Sequence, residues 1–231
     1  MKRVFQFQEG EVLLINKPLH WTSFQLVNKL RWLIKTKLNV KKIKVGHAGT
    51  LDPLATGLMI ICTGKKTKEI DQYQATEKEY IATIKLGATT PSYDGEKAED
   101  CFYPIQHITE ELIHEKIQSF LGEIQQMPPI FSALKVGGKK MYEQARKGKD
   151  VEMKARTIFI KEIEIQKIEI PYIRLRIVCS KGTYIRSLAY DIGKALGSGA
   201  WLSSLIRTKV GASSLENALD IQGFEEIIRE V

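Results

Sequence analysis

The sequence predicts an α/β fold, built as one large domain or as two lobes sharing a sheet. Apolar runs of strand length alternate along the chain with segments of helical periodicity, and stretches bearing glycine and proline separate them. At 231 residues the chain is long for one small domain and can bury a sizeable core.

Residues 11–15 form a short apolar strand, closed by the turn signal Asn16-Lys17-Pro18. A helix follows, capped by Thr22 or Ser23, with Phe24, Val27, Leu30 and Ile34 at near-helical spacing. Gly46, Gly49 and Gly57 then frame a loop around Asp52 and permit positive φ or close backbone approach there. The apolar run 58–62 after it reads as a buried strand. Thr63-Gly64-Lys65-Lys66-Thr67 is not a phosphate-binding P-loop, which requires glycine where Met59 stands and Ser or Thr where Lys66 stands. Residues 78–87 alternate, placing Tyr80, Ala82, Ile84 and Leu86 on one face of a half-buried strand. An irregular connection covers 88–108, and Thr109 caps a helix carrying Leu112, Ile113, Ile117, Phe120 and Leu121 that Gly122 ends.

Pro128-Pro129 excludes helix across 126–135. Between 135 and 156 the cations Lys135, Lys139, Lys140, Arg146, Lys147, Lys149 and Lys154 mix with Met141 and Tyr142, and Phe131 precedes them. That mixture suits a loop and helix that grip RNA, cations meeting phosphates and aromatics meeting bases. Two alternating runs, 158–170 and 173–178, read as neighbouring strands, with a phase change between Ile160 and Ile163 that predicts a bulge. Thr183 is positioned to cap a helix through Leu188, Ala189, Ile192 and Leu196. Residues 201–210 form a further strand containing Arg207, and an amphipathic tail closes the chain.

A net charge of +8 favours an acidic partner such as nucleic acid, although a lysine run by itself is more often a solvated face. The placement of charge says more. Lys41, Lys42 and Lys44 lead into the Asp52 loop and Lys65, Lys66 and Lys68 leave the strand after it, so one carboxylate lies between two cationic stretches. Without those stretches Asp52-Pro53 would read as an ordinary turn and His47 as an ordinary loop histidine. Pro53 pushes Asp52 out of the helical region. A carboxylate presented in this way is a candidate nucleophile acting on a polyanion. Arg186 falls in the first turn of its helix, where a cation opposes the macrodipole. A fixed anionic partner explains that placement better than a surface position, and Asp52 is the candidate partner.

Cys62, Cys101 and Cys179 form no C-x-x-C pair and no even-numbered framework, which points to a reducing compartment. Cys62 and Cys179 end apolar runs and read as buried small hydrophobes. The four histidines, His20, His47, His107 and His114, lack ligand spacing, so no metal is expected. The amino terminus lacks the apolar core of a signal peptide and no run reaches membrane-spanning length; a cytoplasmic protein is expected.

The stretch Gly46-His47-Ala48-Gly49-Thr50-Leu51-Asp52-Pro53-Leu54-Ala55-Thr56-Gly57 resembles the catalytic motif of the TruB-type tRNA pseudouridine synthases. Leu14-Ile15-Asn16-Lys17-Pro18 resembles the family's amino-terminal Lys-Pro motif, and Pro128-Pro129 with Ser132-Ala133-Leu134-Lys135 the start of its thumb. Cys179-Ser180-Lys181-Gly182-Thr183-Tyr184-Ile185-Arg186 resembles the motif of its active-site arginine. The likeness runs from about residue 11 to about residue 215.

The resemblance implies a pseudouridine synthase fold, a mixed and mostly antiparallel sheet flanked by helices with an RNA-binding thumb inserted at about 125–156. It implies a catalytic domain over 1–215 and a short tail over 216–231, without the complete carboxy-terminal RNA-binding domain of familiar bacterial members. The expected reaction isomerises uridine to pseudouridine at position 55, in the T loop of tRNA, on a flipped-out base and with no cofactor. Asp52 would be the nucleophile, Arg186 would hold it ionised, and Tyr80 would stack on the base and help remove the C5 proton. A neighbouring arginine lowers an aspartate pKa by roughly one to three units, so Asp52 is expected to be charged. His47 would shape the RNA, filling the space left by the flipped nucleotide. Leu205 would touch the target base, and Tyr184, Lys17, Lys135, Lys139, Lys140 and Arg146 complete the expected RNA- or base-binding set. The T arm of tRNA is the expected partner of a monomer.

The competing reading is an RNA-binding or RNA-folding module without required catalysis. Asp52 discriminates, because a pure binder gains nothing from a carboxylate that repels phosphate. A hydrolase using Asp52 with His47 is weaker still, since no oxyanion-stabilising motif or metal site accompanies them.

Overall fold

The computed structural model describes residues 5–129 and 154–229, and between them only the backbone of 135–136 and 139–140. In chain order the elements are β1 (Val12–Lys17), α1 (Ser23–Leu38), β2 (Val45–His47), β3 (Ala55–Thr63), a 3-10 turn (Gly64–Glu69), α2 (Ile70–Ala75), β4 (Lys78–Leu86), β5 (Ala88–Thr89), β6 (Cys101–Phe102), α3 (Glu110–Gln118) and β7 (Gly122–Gln126). There follow β8 (Lys135–Val136), β9 (Lys139–Lys140), β10 (Arg156–Glu169), β11 (Tyr172–Cys179), α4 (Ile185–Ala195), β12 (Ala200–Val210), β13 (Ser213–Ser214) and α5 (Ile221–Arg229). The chain divides into two compact units, the first from residues 1–80 and 205–231, the second from 81–204.

In the first unit β1 runs antiparallel to β3 from Val12↔Cys62 to Lys17↔Gly57. β12 lies parallel to β3, with Leu205, Ile206 and Arg207 opposite Ala55, Thr56 and Gly57. The strand β1 therefore continues through Asn16 and Lys17, which the sequence reads as a turn; the turn begins at Pro18, where the chain loses its donor. Thr22 caps α1 through a reciprocal capping box with Gln25. Leu26, Val27, Leu30 and Ile34 are buried, whereas Phe24, expected on that apolar face, is 68% exposed. The buried stripe slides onto Leu26 and Ser23 instead. From Gly57 to Thr63 every residue of β3 is buried, as a strand covered on both faces requires. Phe224 of α5 is fully buried and meets Phe7 edge to face at 6.2 Å.

In the second unit the strand order is β4-β11-β10-β7. On β4, Ala82, Ile84 and Leu86 are buried in alternation, as the sequence predicts. The register of β10 against β11 shifts between Ile160 and Glu162, at the expected bulge, and again between Ile165 and Lys167. Thr109 caps α3, which ends at Gln118 rather than at Gly122; that glycine, at φ 86°, opens β7. The irregular connection contains a short hairpin, β5 with β6. Thr183 does not cap α4. Its hydroxyl donates to the Ser180 carbonyl, and Tyr184 stands at the cap position without a side-chain bond. The parallel β3–β12 pairing among antiparallel ones makes the sheet mixed, with α1 against β2 and α3 against β10. Among the described residues no helix is long and apolar enough to cross a membrane.

Candidate active site

The Asp52 loop is built from the first unit. Ser23, buried at the start of α1, donates from Oγ to the Leu51 carbonyl and accepts from the Leu51 N–H, both at 2.9 Å. Arg207 grips the loop from β12: its Nε donates to the Leu58 carbonyl at 2.7 Å and its Nη2 to the Gly49 carbonyl at 3.1 Å. An arginine that is 1% exposed is retained only where its donors find acceptors, and the Leu58 carbonyl of β3 and the Gly49 carbonyl of the loop take two of them. Gly49 (φ 103°) and Gly57 (φ 106°) take the left-handed backbone the sequence leaves open to them. A Cβ on Gly57 would stand 2.3 Å from the Arg207 carbonyl oxygen, so the β3–β12 approach needs glycine. Gly46 answers to close approach instead, a Cβ there meeting Ile70 at 2.7 Å.

Lys17 is fully buried, donating from Nζ to the carbonyls of Pro18 at 2.9 Å and Trp21 at 2.6 Å. Burial lowers its pKa to about 8; the neighbouring Asp52 carboxylate pulls it up and the Arg207 guanidinium pushes it down. Lys17, expected in the RNA-binding set, is thus a buried cation beside Asp52, its donors turned to the chain's own carbonyls. His47 lies in the same cluster. Burial lowers its pKa below the usual 6.5 and Arg207 adds to this, outweighing the Gly49 backbone. A ring neutral at pH 7 suits a shaping role better than a proton-transferring one. Tyr80 on β4 is 8% exposed, and Leu205 pairs with Ala55 at the start of β3. The first unit thereby gathers Lys17, His47, Asp52 and Arg207.

At the end of β2 and β3 away from this loop the two lysine stretches converge. Lys42 and Lys44 face Lys65 and Lys68 around a cavity of about 380 Å³, and Arg31, Lys35 and Lys41 join Lys42 and Lys44 around a second of about 500 Å³. Two lysines of the second stretch are engaged by acids of the chain, Lys65 with Glu9 at 2.5 Å and Lys66 with Glu69 at 2.8 Å.

Arg186 belongs to the second unit, where it is 5% exposed. Its Nη1 donates to the Ser92 carbonyl at 3.2 Å and lies 3.6 Å from Asp94 Oδ2. The first-turn cation does have an anionic partner, Asp94, from the connection the sequence shows only as irregular. Glu96 N–H holds the other carboxylate oxygen, Asp94 Oδ1, at 3.0 Å. Tyr184 is fixed by Gln126, which is 1% exposed and bonds both the Tyr184 N–H and its carbonyl, at 2.8 and 3.0 Å. Arg146 and the side chains of Lys135, Lys139 and Lys140 lie outside the described residues; β8 and β9 pair as a short hairpin. Among the described residues no cluster of His, Cys, Asp and Glu is composed to hold a metal.

Sequence reasoning gave no site role to Arg207, Asp94, Ser23 or Gln126. An arginine directly after the apolar pair Leu205-Ile206 in a strand is the signal that could have found Arg207.

Residues 35–185 match the family described as TruB family pseudouridylate synthase (N terminal domain). The chain is 62% identical over 220 residues to the tRNA pseudouridine synthase B of Phocaeicola vulgatus, covering 95% of this chain and 94% of that one. It is 56% identical over 225 residues to the tRNA pseudouridine synthase B of Flavobacterium johnsoniae, covering 97% and 98%. Among solved structures it resembles "Crystal Structure of a Cbf5-Nop10-Gar1 Complex", with a TM-score of 0.70 and 30% identity over 95% of this chain and 54% of that one. The chain thus spans about half the length of that structure's chain. The family match across 35–185 and relatives above half identity over nearly the whole chain agree, and the chain belongs to the TruB family of pseudouridylate synthases.

Proposed function

We propose that the protein isomerises uridine to pseudouridine in the T loop of tRNA, at position 55, with Asp52 as the nucleophile. The observation that carries the reading is the Asp52 loop itself: a carboxylate at a loop apex whose flanking backbone is held by Ser23 and Arg207, with the buried Lys17 ammonium beside it. Such a framework spends buried polar groups on the aim of one side chain, which pre-organises an attack. The two relatives above carry tRNA in their names, and the cavities rimmed by lysines offer phosphate contacts.

Covalent attack by Asp52 on the sugar or the base divides the reaction into easier steps. The bond from C1′ to N1 breaks, the uracil turns in the site, C5 joins C1′, the bond to Asp52 breaks to return the free carboxylate, and the C5 proton leaves as N1 gains one. Tyr80 stacks on the extruded base and assists the proton's departure, Leu205 touches the base, and neutral His47 fills the gap in the RNA. Arg186 serves as the active-site arginine. Incubating the enzyme with uridine-labelled tRNA transcript and mapping the product tests the activity. Asp52→Asn keeps the shape and loses the nucleophile, so turnover should vanish while RNA binding stays within a few fold. Turnover near the wild-type rate would overturn the mechanism.

A further inference from the structure

Tyr93 stands between the two residues that hold Arg186, and its backbone is left-handed, at φ 61°. That region disfavours a bulky side chain, so something must keep the turn in place. The Tyr93 ring stacks on Tyr190, with ring centroids 4.2 Å apart and planes 22° apart. Tyr190 lies four residues after Arg186 on α4, so the two side chains leave the same helix face on successive turns. The strap 92–94 thus meets α4 twice. At one turn the Ser92 carbonyl and Asp94 carboxylate take the guanidinium; at the next, two rings lie face to face.

The rest of the strap is held by backbone bonds and by the hydroxyls of Thr90 and Ser92. Tyr93 N–H donates to the Thr90 carbonyl at 3.1 Å, its carbonyl accepts from Leu202 N–H at 2.9 Å, and Thr90 Oγ1 donates to the Asp94 carbonyl at 2.7 Å. These bonds fix the turn's shape, but none of them ties it to α4. Burial, then Tyr190, Asp191 and Asp100, raise the Tyr93 pKa, which keeps the Tyr93 ring neutral.

We propose that Tyr93 and Tyr190 are positioning residues for this chain's reaction: their stack sets the strap against α4 and so aims Arg186. The proposal rests on the reading of Arg186 as the active-site arginine. It does not make either tyrosine touch the substrate.

The test compares Tyr93→Gly, Tyr190→Leu, Tyr93→Phe and Tyr190→Phe in the full chain, under single and multiple turnover on tRNA transcript. Glycine keeps the positive φ and removes the ring, which separates the turn from the stack. Tyr93→Gly and Tyr190→Leu should each lower kcat at least tenfold with KM within threefold of wild type, and both phenylalanine variants should stay within threefold in kcat. In an Arg186→Lys background Tyr190→Leu should cost under threefold more, since a residue acting through Arg186 has nothing left to aim. Full kcat in the folded Tyr93→Gly protein, or an undiminished tenfold loss in the Arg186→Lys background, would overturn the proposal. If Tyr93→Gly fails to melt cooperatively, the Tyr190 pair decides alone. A wild-type enzyme that makes no pseudouridine would sink the functional reading instead, a result distinct from any of these.

Discussion

Lys17 carries a charge whose presence depends on pH. Its pKa of about 8 lies below the ordinary 10.5 because burial disfavours the ammonium. Between those values the unfolded chain binds more protons than the folded one, so this group's contribution to stability rises with pH across that window. Activity should move the other way, because the cation beside Asp52 is lost. Rates measured against pH should show kcat falling through an apparent pKa near 8 while Lys17's share of the melting temperature rises over the same range. A profile flat to pH 9.5 would refute this role for Lys17. Glycines divide equally sharply. Gly57→Ala would drive a Cβ into the Arg207 backbone at 2.3 and 2.7 Å, and strain plus overpacking should cost about 3 kcal/mol or more. Gly122→Ala meets nothing within 4 Å and should cost only about 1–2 kcal/mol for its positive φ. Urea midpoints of the two variants check the contrast. The sequence shows Gly57 framing a loop and Gly122 ending a helix; the difference in cost lies in β12, which arrives from far along the chain.

At the scale of elements, strands were legible where one face is buried and the other wet. The alternation of β4 and the bulge in β10 can be read from the chain because side-chain direction has a period of two. Caps satisfied from a distance cannot. Thr183 has the right chemistry and the right spacing for α4, yet Gln126 at the end of β7 supplies the partners of Tyr184, and no local pattern announces it. Gln126→Ala takes those bonds from a part-buried N–H and carbonyl and should cost about 1–2 kcal/mol. Denaturation should register the loss, and hydrogen exchange should quicken at Tyr184, Ile185 and Arg186. Unchanged exchange there would mean that the helix start is held by other means. Asp94 escaped notice for the same reason: the connection around it has no periodicity, and its meaning comes from Arg186 on another element.

For the molecule as a whole, the surplus of +8 matters through where it gathers. Lys42, Lys44, Lys65 and Lys68 come from two segments and share one cavity wall, with Lys65 partly offset by Glu9. The sequence shows both cationic stretches but not that they meet, since the meeting is made by β2 and β3 folding back antiparallel. Every cation that neutralises a phosphate adds about 0.7 to 0.9 to the steepness of log K against log salt. Exchanging Lys42, Lys44 and Lys68 together for glutamine should therefore flatten the salt dependence of tRNA binding by about 2 to 3. An unaltered slope would make the cavity wall a solvated face.

The parallel seam between β3 and β12 has a further consequence, in the order of events. The loop that carries Asp52 is complete in sequence by Gly57, but the guanidinium that ties its Gly49 and Leu58 carbonyls belongs to Arg207, and β3 lacks that neighbour until Leu205, Ile206 and Arg207 exist. All of residues 81–204 are synthesised in between, as a unit with its own strands and helices. Domains form largely as units during synthesis, and closing so long a stretch of chain is slow compared with making local contacts. A growing polypeptide therefore displays Asp52, the proposed nucleophile, early and without the clamp that holds its loop. Competence arrives with β12, so a half-made chain meeting RNA can hold it by charge before it can act on it.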